Sequence, residues 1–170
     1  MDPCLQRLQQ EIAALVDGLS AEQLSRHPPG KWCAAELLEH LYLTYTGTLR
    51  GFERVAAAGK PLVTAPTWRQ RGLKLIVVHL GYLPSGRQSP PVAFPRGLPP
   101  EKVTAEITLK ISEMDDSIAR CEQKLGLRCE LLGHPILGPL SGGQWRKFHL
   151  VHGLHHVKQI RRLCDPILVR

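Results

Sequence analysis

The stretch "VTAEITLKISEMDDSIARCEQKL", residues 103–125, decides the fold class. Its apolar residues Val103, Ile107, Ile111, Met114, Ile118, Cys121 and Leu125 step by four, four, three, four, three and four, the spacing of one face of an α-helix. The charged residues lie between them, so this helix has one buried face and one wet face. Three further segments read the same way. A first helix is predicted over about residues 3–18, where Leu5, Leu8, Ile12, Leu15 and Leu19 recur and Pro3 suits the first turn. A second, expected to be the longest, runs from about Ala34 through Leu38, Leu41, Tyr45, Leu49 and Phe52 to a stop at Gly59. The last opens at Ser141, which with Gln144 makes a capping box, and continues to about Leu163 ahead of Pro166. No segment shows strand alternation and no internal repeat is visible. Four long amphipathic helices predict an all-α four-helix bundle, with residues 1–170 as a single domain.

Two segments stand outside that pattern. Residues 71–83, closed by Pro84, form an extra short apolar segment that is either a strand or a buried helix by its length. Residues 84–100, "PSGRQSPPVAFPRGLPP", carry six prolines, which deny the backbone the donors of helix or sheet. That predicts a long irregular loop, read either as a surface excursion or as a cover over a site.

Composition narrows the function classes. The 170 residues are 43% hydrophobic and 22% charged, near globular averages. The longest near-apolar run, residues 75–83, is far below the roughly 20 residues of a membrane span. The net charge of +7 would suit an anionic partner, but the cations are scattered and aromatics are only 5%, which supplies a poor stacking platform for nucleic acid. Five cysteines form no CxxC pair, and their odd number with no signal peptide ahead predicts free thiols in a reducing cytoplasm.

Half of the eight histidines, His149, His152, His155 and His156, fall in "FHLVHGLHHVKQI", residues 148–160. On a helix, Trp145, Phe148, His149, His152, His156, Gln159 and Leu163 share one arc about 100° wide, the arc that faces a core. A histidine there needs a hydrogen-bond partner or a metal. His152 and His156, at i and i+4, place their rings one above the other and can converge on one ion, whereas His155 points roughly 100° away from His156. Such pairs also occur on ordinary helices, so spacing leaves both readings open. His40 lies at the edge of the second helix's apolar stripe, a position that suits a ligand at a pocket mouth or an exposed histidine with no role. A second apolar strip, Leu150, Leu154 and Val157, faces away from the histidines and invites another helix or a homodimer partner.

Two stretches resemble a known family. "GKWCAAELLEHL", residues 30–41, is similar to the second-helix signature of the DinB/YfiT-like superfamily of metalloenzymes. "HPILGPLSGGQWRKFHLVHGLHHVKQI", residues 134–160, resembles the last helix of a branch whose members mostly lack assigned function, with its H-x-x-H-H-x-x-Q string. The resemblance implies a bundle of up-down-down-up order and a divalent metal held by His40, His152 and His156, the last steadied by Gln159. His155 takes the family's additional histidine position, and His149 has no counterpart. Supporting contacts to the ligands are expected from Glu36, His149, His155 and Gln159, since a ligating imidazole donates its other N–H. No catalytic residue is assigned.

Zinc or nickel suits three imidazoles, with iron also compatible. The resemblance implies a small-molecule substrate, including a low-molecular-weight thiol, and thiol-S-transferase-like or hydrolase-like chemistry. The alternative is a non-catalytic metal-binding or protein-interaction helical module. A membrane role is not expected, and nucleic-acid binding ranks last.

Overall fold

A computed structural model describes residues 1–83 and 89–164. The first helix, α1 (Pro3–Asp17), starts where the Asp2 carboxylate accepts from Cys4 N at 2.8 Å, with proline in its first turn. It buries Leu5, Leu8, Ile12 and Leu15. A short helix, α2 (Ala21–Ser25), follows on a Ser20–Gln23 capping box that the hydrophobic periodicity does not announce, because it buries nothing. Helix α3 (Ala34–Ala58) ends on Gly59, whose φ of +63° is the left-handed stop expected there. The segment after it resolves as helical: α4 (Trp68–Lys74) loosens into a π-helical turn over Leu75–His79, burying Val77 and Val78. Residues 84–88 of the proline-rich stretch lie outside the described residues, as does Pro166. Within the rest of that stretch Pro91–Ala93 make one 3-10 turn, and Pro100 opens helix α5 (Pro100–Leu125).

Two expectations need correction. Helix α5 has 26 residues against 25 for α3, so α3 is not the longest; proline at the first helical position extends α5 backwards. A strand pair is also present, β1 (Glu130–His134) antiparallel to β2 (Gly138–Ser141), just before α6 (Gly142–Cys164). Alternation could not reveal it. The register slips between Glu130 and Leu132, which leaves the consecutive Leu131 and Leu132 both buried. Leu62 adds one parallel bridge to Leu132.

The long helices α1, α3, α5 and α6 pack together, α3 along α5 and α1 along α6, around a common core that includes Leu8, Leu38, Tyr45, Phe52, Ile111 and Met114. Thr48 faces His149 and Phe52 faces Trp145, while His40 faces His152 one end further on, so α3 and α6 run antiparallel. The close approach at one point requires Gly153, since a Cβ there would collide with Leu8 and the Tyr45 hydroxyl. Leu150 and Val157 are buried in this same core and Leu154 packs against it, so the strip that invites a second subunit is occupied within the chain. No helix among the described residues is long and apolar enough to cross a membrane.

Candidate metal centre

Helix α6 begins where Ser141 N donates to Gln144 Oε1 at 3.0 Å and Gln144 N to Ser141 Oγ at 3.3 Å, the reciprocal cap expected from sequence. From that start its buried face carries Trp145, Phe148, His149, His152 and His156. His40, on α3, is 2% exposed and not at an open edge. His152 Nε2 lies 3.2 Å from His40 Nε2 and 3.1 Å from His156 Nε2, so imidazoles from two helices meet at one point.

The other ring nitrogens decide the tautomers. His40 Nδ1 donates to the Ala93 carbonyl at 2.8 Å, and His156 Nδ1 donates to Gln159 Oε1 at 2.7 Å. Both partners accept only, so the Nε2 atoms of His40 and His156 each carry a lone pair aimed at His152. His152 Nδ1 is buried without a partner. If His152 Nε2 bears a proton it can satisfy one neighbour well and not both, and if it does not, three lone pairs face one another. A cation at their meeting point satisfies all three. Nitrogens about 2.0–2.1 Å from one ion stand roughly 3.3–3.4 Å apart in a tetrahedron and about 2.9 Å apart when cis in an octahedron, and the observed spacings fall between these. The residues present therefore fit a divalent metal.

Burial keeps these rings neutral, the form a metal needs. Desolvation lowers the pKa of His40, opposed by the Ala93 hydrogen bond. Desolvation pushes His156 down to about 3, aided by His40, and carries His152 well below the ordinary range, aided by its neighbouring imidazoles.

The other predicted residues divide. Gln159 holds His156 as expected. Glu36 does not support His40: its carboxylate accepts from Cys33 N at 2.8 Å as the cap of α3 and lies 3.0 Å from His27 Nε2. His149 stacks against Trp145 and shares a 3.1 Å hydrogen bond with Thr48, outside the cluster. His155 is half-buried with its ring beside that of His156, and it too lies outside the group of three.

Sequence reasoning missed Glu39. Its buried carboxylate accepts from the backbone N–H groups of Arg96, Gly97 and Leu98 at 2.6, 3.1 and 3.2 Å. Two adjacent residues of α3, Glu39 and His40, thereby clamp the segment that supplies the Ala93 carbonyl. No pattern announces this, because backbone amides carry no side-chain signature. The clamped segment, α3, α6, the π-helical turn and the β1–β2 corner enclose a cavity of about 1070 Å³ that opens onto the three histidines. Trp32, its ring centroid 5.5 Å from that of His40 and 5.6 Å from that of Phe94, walls the histidine end.

His134 was also not singled out. Its Nδ1 accepts from Ile136 N and Leu137 N, both at 3.1 Å, closing the hairpin turn. Burial pushes its pKa down to about 4, and that of His149 to about 3. The unfolded chain takes up protons near pH 6.5 that these folded rings refuse until pH 4 and below, so their stabilising effect is complete above pH 6.5 and is lost as pH falls. Each ring costs about 2 kcal/mol between pH 6.5 and 5. Urea melts of metal-free protein are expected to show the midpoint falling steadily from pH 7 to 5; a level profile would contradict the buried neutral rings.

The family model of the DinB superfamily matches residues 5–160. No curated protein and no solved structure matches the chain. The matched span runs from the first buried leucine of α1 to past the last histidine of the cluster, and on that span the chain belongs to the DinB superfamily.

Proposed function

We propose that the chain is a single-domain metal-dependent enzyme with an up-down-down-up four-helix bundle, in which His40, His152 and His156 hold one divalent cation beside a small-molecule cavity. The observation that carries this reading is the convergence of three Nε2 atoms, two of them with lone pairs fixed toward the third. Zinc or nickel is the expected ion. Such an ion with an open position supplies Lewis-acid activation of water or a carbonyl, or a seat for a thiolate, which corresponds to the hydrolase-like and thiol-S-transferase-like options.

The chain's own residues do the positioning. The Ala93 carbonyl and Gln159 hold two rings by their far nitrogens, and Phe148 stacks on the His152 ring at an interplanar angle of 12°. Trp32 and Phe94 wall the histidine end, and Thr44, His155 and Gln159 offer polar groups to a substrate along the wall. A second reading, a non-catalytic metal-binding module, draws on the absence of Asp, Glu and Cys from the described cavity lining, which leaves no carboxylate as general base and no thiol nucleophile. Elemental analysis of protein purified without a histidine tag is expected to find about one divalent ion per chain. Screening that protein against electrophiles with and without small thiols divides the two readings: turnover dependent on the ion supports the enzyme, and stoichiometric metal with no turnover supports the module.

A further inference from the structure

We propose that the cavity selects an anionic small molecule with an apolar body, such as a medium-chain carboxylic acid. This rests on the cavity being a small-molecule site, as in the proposed function, and does not need the metal. Every charged side chain among its described lining residues is a cation: Lys31, Arg54 and Arg162. All three are exposed, and none takes part in an ion pair among the described residues. No carboxylate among the described lining residues compensates them, and the net charge of +7 adds a field of the same sign.

The apolar body follows from the walls and the shape. Leu73, Val77 and Leu83 line one side. On α3, His40, Thr44, Gly47 and Gly51 lie along one side of the helix and Arg54 follows, a span of about 21 Å at helical rise. A Cβ on Gly47 would meet nothing within 4 Å, so this part of α3 leaves room rather than filling it. The result is an elongated apolar trough with imidazoles toward one end and fixed positive charge around it, a shape and charge that suit an amphiphilic anion.

Three unit charges about 10 Å away, well inside the Debye length of about 30 Å at roughly 10 mM salt, favour a monoanion over its neutral analogue by roughly tenfold, and over the matching cation by roughly a hundredfold. The test uses decanoate, decanol and decylamine at about pH 8, where the probes hold their charges and exposed imidazoles are neutral. Metal-free protein carrying Trp68→Phe leaves Trp32 and Trp145, both of which line the cavity, as the reporters, since Trp68 is 82% exposed and lies outside it. Decanoate is expected to bind roughly tenfold tighter than decanol and a hundredfold tighter than decylamine, with high salt compressing the series.

The variant combining Lys31→Gln, Arg54→Gln and Arg162→Gln should bring the three probes to within about twofold, and Gly47→Leu should weaken all three. Equal affinities in the unsubstituted cavity, no binding of any probe, a series unaltered by the triple variant, or affinities unaltered by Gly47→Leu would each overturn the proposal. Metal content is read separately on the same preparations. Loss of the metal reading with the anion preference intact, or the reverse, is therefore seen as such.

Discussion

His152→Ala is expected to lower affinity for a divalent cation about a thousandfold, while His155→Ala leaves it unchanged. A four-ligand zinc site is worth about 10–16 kcal/mol, so one imidazole carries about 3–4 kcal/mol, or roughly three orders of magnitude. The two variants are a matched pair. Both remove an imidazole from the same turn of α6, but only His152 places its Nε2 within 3.2 Å of the other two rings. Gln159→Leu should give an intermediate loss of about 10- to 100-fold, because it frees His156 Nδ1 without deleting a ligand. Competition against a chromophoric chelator gives all three affinities. Equal metal content in His152→Ala and unsubstituted protein would remove the site from the account.

How much of that site could be read in the sequence depends on the range of each contact. His152 and His156 are four residues apart on one helix, and helical geometry alone brings their rings together, so the pair was legible. Gln159 follows by the same local rule. His40 is different: its meeting with His152 spans 112 positions, and the bond from its Nδ1 to Ala93 spans 53. Periodicity assigned His40 only to a stripe edge, and its place beside the other two came from the family resemblance. Glu36 shows the error that helical spacing alone invites. It stands one turn before His40, yet the amide of Cys33 at the open start of α3 is nearer and holds it as a cap.

The fold divides along the same line. Helices α1, α3, α5 and α6 each announce themselves through a stripe of buried residues repeated over several turns, and the caps of α1, α3 and α6 lie within three residues of their starts. The hairpin had no comparable signal. Its strands are four and five residues long, a bulge puts two neighbouring leucines on the buried side, and its support comes from Leu62 and from Trp145 Nε1, which donates to the Leu132 carbonyl at 3.0 Å. Gly51 makes the same point from the other side of the contact. A Cβ there would stand 2.5 Å from a Leu132 methyl, a constraint set by a partner 81 positions away.

Arg146→Ala is expected to destabilise the protein by about 3–5 kcal/mol, a large share of a total of about 5–15 kcal/mol. Arg146 is 8% exposed, and its Nε and a terminal nitrogen reach Asp115 and Glu122 of α5 at 2.6 and 2.7 Å. Asp115 also accepts from the backbone N–H of Asp2 at 2.7 Å, which ties the start of α1 to the same cluster. Removing the guanidinium leaves two buried carboxylates without their counter-ion, and that desolvation is the larger part of the expected loss. Adding Asp115→Asn and Glu122→Gln to Arg146→Met should therefore recover most of it. Urea melts at pH 7 compare the variants with the unsubstituted protein, and a charge-neutral triple variant no more stable than Arg146→Ala would contradict the assignment. Arg146 lies on the first turns of α6, six residues before His152, and its bonds to Asp115 and Glu122 tie that end of the helix to α5. Arg146→Ala is accordingly expected to weaken metal binding even at temperatures where the variant remains folded, whereas a surface substitution such as Lys158→Ala on the same helix should not.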